Sequence, residues 1–142
     1  MDRLVELDKK DLTNVFNSEL ATFLKVLNGI FKKEVGCEVS ASKIKAYKTK
    51  LNGAIMINAR IAIEAFSVYI LSEENKNFTE EIRTRNYDHF IHLSNTIDND
   101  NQFRDLIEII VETFVKLTDG EKEDIFVYLQ NLCMVSNVYA TK

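Results

Sequence analysis

Across 142 residues there is no proline, and there are only four glycines. Proline removes a backbone donor and clashes with the preceding turn, and glycine loosens it, so a chain nearly free of both has little to interrupt long helices. The apolar pattern then decides between helix and strand. Leu12, Phe16, Leu20, Phe23, Leu24, Leu27, Ile30 and Phe31 recur at spacings of three and four. That is the period of one helical face, not the alternation of a strand. A helix is predicted over residues 11–34, with Gly36 as its stop.

The same reading carries along the chain. A shorter helix is predicted over 40–50, capped by Ser40 or Ser42 and punctuated by Asn52-Gly53. The run Ile55, Ile57, Ile61, Ile63, Phe66, Tyr69 and Ile70 is apolar almost all round once Ala54, Ala59, Ala62 and Ala65 are added, so it reads as the central buried helix. Thr79 with Glu80 and Glu81 marks another start, leading to Ile82, Phe90, Ile91 and Leu93. The polar stretch 94–102 reads as a loop, from which Asp100 caps a helix through Leu106, Ile107, Ile110, Val111, Phe114 and Leu117. Thr118 and Glu121 have the spacing of a capping box, opening a last helix through Ile125, Tyr128, Leu129, Leu132 and Val135. The expected fold is all-α, a compact bundle of five or six helices forming a single domain over residues 1–142.

Composition narrows the setting. A 46% hydrophobic fraction can build a core at this length, while 28% charged residues and no long apolar run argue against a membrane span. The charged start MDRLVELDKK lacks the apolar stretch of a secretory signal, so the chain is expected not to be secreted. Cys37 and Cys133 stand far apart with no C-x-x-C or Cys/His partner, and read as buried, idle thiols.

Each chemical motif fails at an identifiable position. His89 and His92 share a helical face, as two metal ligands would, but no third ligand completes the set. Asp98 and Asp100 open a string like a calcium loop, yet Phe103 stands where its turn needs glycine and Ile109 where it needs a bidentate glutamate. No Gly-rich phosphate loop and no nucleophile elbow is present. The pairs Glu73-Glu74, Glu80-Glu81 and Glu121-Glu123 sit in polar stretches and read as solvated carboxylates. The sequence therefore carries no expectation of a metal, a cofactor or catalysis.

Charge is the remaining signal. Residues 1–60 hold eleven Lys/Arg against seven Asp/Glu, and residues 61–142 hold seven against fifteen. Within the basic part, Lys32, Lys33, Lys43, Lys45, Lys48 and Lys50 are concentrated against only Glu34 and Glu38. Six lysines with one aromatic, Tyr47, and no arginine fork suit contact with phosphates or an acidic protein surface; they equally suit a solvated helix face.

The stretches FNSELATFLKVLNGIF (16–31), INARIAIEAFSVYIL (57–71) and LTDGEKEDIFVYLQNLCMVS (117–136) together resemble a family of short helical proteins encoded by large double-stranded DNA viruses of algae and protists. Phe16, Leu20, Phe23, Leu27 and Phe31 match that family's first helix, and Lys122, Ile125, Phe126, Tyr128, Leu129 and Leu132 match its closing one. Asn58-Ala59-Arg60 departs from the family's N-P-[KR] step, Lys32 replaces a usual proline, and no tryptophan is present. The family has no established activity. The resemblance implies a viral, non-enzymatic protein acting through protein contacts, as a minor capsid component or assembly factor in the virion or the infected host cytoplasm. Capsid proteins are then its partners, with oligomerisation open. Two alternatives stand beside this: a helix-binding bundle resembling viral apoptosis regulators, whose hydrophobic hairpin is similar to the central apolar helix expected after Leu51-Asn52-Gly53, and a virion factor binding nucleic acid through the lysines.

Overall fold

In the computed structural model, which describes residues 2–71, 78–90 and 102–142, the first long helix begins where a capping carboxylate meets it. Asp8 accepts the backbone N–H of Asp11 at 2.8 Å, and α1 runs Lys9–Lys33. It follows a 3-10 turn, Asp2–Glu6. Gly36, at φ 86°, turns the chain in the left-handed region that glycine enters freely, and α2 follows over Glu38–Ile57. The remaining elements are α3 (Ile61–Leu71), α4 (Phe78–Arg83), α5 (Tyr87–Phe90), α6 (Gln102–Phe114) and α7 (Asp119–Ala140). Among the described residues there are thus six helices of at least six residues and one single turn, and no strand. The fold is all-α, as its sequence pattern predicts.

Two expectations need correction. Asn52-Gly53 does not end a helix: α2 continues through both, and its last turn closes with the Asn58 N–H donating to the Ala54 carbonyl at 3.0 Å. Gly53 has open space around its missing side chain, so it is tolerated in the helix without being required by it. The break comes at Asn58-Ala59-Arg60. There the Asn58 side chain accepts the Arg60 N–H at 3.1 Å, a local turn that competes with helix continuation. From this corner α3 leaves at 109° to α2. The predicted central helix is therefore split, and Ile57, expected in the core, is 90% exposed. The central apolar helix expected to begin after Leu51-Asn52-Gly53 does not start there, since α2 runs through all three residues. A second split, at residues 84–86, separates α4 from α5; Arg85 there takes φ 58°, held as its guanidinium donates to both Glu123 oxygens at 2.8 Å and to the Ile82 carbonyl at 2.6 Å. Ile91, His92, Leu93, Asp98 and Asp100 lie outside the described residues, as does the side chain of His89.

α1 is the spine. Leu12, Phe16, Leu20, Phe23, Leu24, Leu27 and Phe31 are all buried, and they meet α7, α2 and α3. Phe23 stacks on Tyr128 of α7 at 5.3 Å between ring centres. Rings also gather at two further places. Phe66 of α3 is met by Phe16, Tyr69, Phe78 and Phe103, the last at 4.7 Å, while Phe126 of α7 is met by Tyr87, Phe90 and Phe114 at 4.9 to 5.6 Å. Edge-to-face rings of this kind add to the burial of their area. The Thr118–Glu121 capping box forms as predicted. Cys37 and Cys133 are free and buried, and burial pushes the Cys133 thiol up to about 12.

Candidate functional site

The connection 34–37 is short, so α1 and α2 fold back on each other as an antiparallel hairpin. At its far end Asn17 donates its side-chain amide to the Ala59 carbonyl at 2.9 Å, tying the α2–α3 corner to α1. Ile44 and Leu24 are buried between the two helices. The polar residues flanking that seam are left at the surface on both sides of a depression of about 320 Å³.

Its walls are basic. Lys25, Asn28 and Lys32 come from α1, and Lys45, Lys48, Thr49 and Asn52 from α2. On α1 the spacing from Lys25 to Lys32 is two turns, and on α2 the residues Lys45, Lys48, Thr49 and Asn52 follow i, i+3, i+4, i+7, so each set forms one stripe. All four lysines are exposed, and among the described residues none has an ion-pair partner and no carboxylate lines the depression. Thr49 spends its hydroxyl on its own helix, donating to the Lys45 carbonyl at 3.1 Å. The groove is thus a trough of exposed cations over a closed apolar seam, suited to an anionic chain.

Of the six lysines singled out in the sequence, the structure brings only Lys32, Lys45 and Lys48 together here. Lys43 and Lys50 lie on the opposite side of α2 and line a second depression, of about 350 Å³, facing Asp105, Glu108 and Glu112 of α6. Lys43 pairs with Glu112 at 3.0 Å, and Glu108 with Arg104 of its own helix at 2.9 Å. Tyr47 forms part of that floor, and burial, followed by the neighbouring Asp105, pushes its hydroxyl well above the usual range. Lys33 lies apart, beside Glu34 and Glu121, whose carboxyls it favours in the charged form. Lys25, which completes the basic groove, lies outside the lysine-dense stretch; its place seven residues before Lys32 on one helical face is the signal that finds it.

Of the carboxylate pairs expected to be solvated, Glu73-Glu74 lies outside the described residues and the other two are partly engaged. Glu80 pairs with Arg83, Glu123 with Arg85, and Glu121 is buried in the α7 cap, its Oε1 accepting the Thr118 N–H at 2.9 Å. Among the described residues no three His, Cys, Asp or Glu side chains gather as metal ligands would, and no single helix is long and apolar enough to cross a membrane. Compared with family models, with curated proteins and with solved structures, the chain matches none.

Proposed function

We propose that this chain is a non-enzymatic interaction protein whose α1–α2 groove seats an acidic segment of another protein. The observation that carries this reading is the convergence of Lys25, Lys32, Lys45 and Lys48 around one depression without a carboxylate among its lining residues. Charge arranged in this way steers an oppositely charged partner and fixes which face it meets. An acidic protein segment suits the groove better than nucleic acid does. The lining has no aromatic ring on which a base would stack and no arginine fork to read a base edge.

The resemblance to helical proteins of large DNA viruses supports the version in which the partner is a capsid protein and the chain is a minor component or assembly factor of the particle. Binding of a labelled oligoglutamate peptide tests the groove itself. Reversal of Lys25, Lys45 and Lys48 to glutamate is expected to weaken it by about 100-fold, from three charges each turned from attractive to repulsive. Reversal of Lys43 and Lys50 on the other side of α2 is expected to change it by less than about threefold. Equal losses from both sets would sink the reading, and a DNA duplex that binds more tightly than the peptide through the same lysines would replace the acidic protein with nucleic acid.

A further inference from the structure

Beyond the groove, the α2 stripe that forms one of its walls ends on an apolar residue. Along α2 the stripe formed by Lys45, Lys48, Thr49 and Asn52 continues to Met56, which follows Asn52 by four residues and Lys45 by eleven. Eleven residues are about three helical turns, so Met56 stands within about 20° of the line of Lys45, one turn and about 6 Å beyond Asn52. Its side chain is 88% exposed. The neighbouring Ile57 is turned about 100° round the helix, toward the side of Lys50, and so continues the other groove instead. On α1 the residues one turn before Lys25 are Ala21 and Thr22, exposed and uncharged. The basic trough therefore runs out, at the α2–α3 corner, onto a surface where the only large side chain of the α2 stripe is apolar.

Resting on the acidic-segment reading, we infer that the partner is an acidic segment bearing a large apolar residue at one end, with Met56 as the contact that fixes its register. Lysine ammonium groups are mobile point charges without the bidentate geometry of arginine, so four of them hold an acidic chain to the trough without choosing where it stops. An apolar contact at one end supplies that choice, because it forms in a single alignment. Methionine suits the role, being unbranched and polarizable and able to adapt to the side chain laid against it. The Asn17–Ala59 bond ties the end of α2 to α1, so the backbone that carries Met56 and both charged walls belong to one tethered hairpin.

The test uses the full chain and three labelled peptides: plain oligoglutamate, and the same peptide with two leucines at its N-terminal or its C-terminal end. One leucine-bearing peptide is expected to bind about tenfold more tightly than the plain one, the effect of burying roughly one large apolar side chain. Met56→Ser should erase that advantage while leaving plain oligoglutamate binding as in the unaltered chain, and Met56→Leu should restore it. Because Met56 is exposed, these variants are expected to keep the helical circular dichroism of the parent. If both leucine-bearing peptides bind no better than the plain one, or if Met56→Ser keeps the advantage, the anchor is overturned while the basic groove stands. If none of the peptides binds, the groove reading itself falls, and the anchor with it.

Discussion

The two grooves that flank α2 are built alike and charged differently. Each lies between α2 and one neighbouring helix, each has a similar volume, and each takes lysines from α2 at helical spacing. Between α2 and α6 the lysines face Asp105, Glu108 and Glu112, and Lys43 is already paired. Between α2 and α1 they face Lys25, Asn28 and Lys32, with no acid in the lining among the described residues. The sequence is basic in one part and acidic in the other, and folding places α2 at their border. Where the basic helix meets an acidic one the field is cancelled inside the molecule, and where it meets another basic helix the field is left for a partner. Two grooves of one size thus differ in what they can recognise.

The comparison breaks most severely if the seam beneath the basic groove is opened. Ile44 is fully buried between α1 and α2, so Ile44→Ala should cost about 2 to 5 kcal/mol in urea unfolding, from lost burial and the cavity left behind. Oligoglutamate binding should weaken as well, since the two walls no longer stand at a fixed separation. A loss below about 1 kcal/mol would show that the hairpin is not closed by this residue. The comparison sharpens if the second groove is made to resemble the first. With Asp105→Asn and Glu112→Gln, Lys43 and Lys50 are freed from two opposing charges. A second, weaker site for oligoglutamate is expected, strengthened roughly fivefold over the parent groove by two unit charges acting across a solvated gap. Titration calorimetry that still finds a single site would show that charge alone does not distinguish the grooves.

Much of this was legible before the structure, and what was not has physical reasons. The absence of proline and the three-and-four spacing of Phe16, Leu20, Phe23, Leu27 and Phe31 identify α1, and Thr118 with Glu121 identifies the start of α7, because these signals are local. The α2–α3 corner was misplaced because Asn52-Gly53 is a strong turn signal by type, whereas Asn58 makes its turn through one side-chain bond and a tether to α1 forty-two residues away. Tertiary context overrides propensity there. The lysines were found as a set, but their division was not. Lys43 and Lys45 are adjacent in a tally and on opposite sides of α2 in space, since neighbours two apart on a helix do not share a face. Lys25 was missed for the converse reason: it is remote in sequence from the dense stretch, and the hairpin brings it back.

A third treatment of charge appears at the closed end of the hairpin, where two groups of like sign meet. Glu121 caps α7 through Oε1, and its Oε2 is buried with no N–H to accept, so the neighbouring Glu34 carboxyl is the group that can supply a proton to it. That hydrogen bond raises the pKa of Glu34, with desolvation and the Glu121 charge adding to it and Lys33 opposing. Burial pushes Glu121 up as well, but the Thr118 N–H, the bond from Glu34, the Thr118 hydroxyl and Lys33 together hold it below the ordinary range. The signs follow from linkage. Glu34, raised on folding, adds stability that is full below its unfolded pKa and is lost as pH rises through its folded value; Glu121, lowered on folding, adds stability that is full above its unfolded pKa and is lost as pH falls through its folded one. The pair therefore contributes most around the ordinary carboxyl pKa, when Glu34 is protonated and Glu121 is ionised. Glu34→Gln keeps a donor at every pH, so it should match the parent's thermal midpoint at about pH 4 and exceed it increasingly toward about pH 8. A difference between the two proteins that stays constant over this range would show that the two carboxyls do not share a proton, and that Glu121 is held by the Thr118 cap without Glu34.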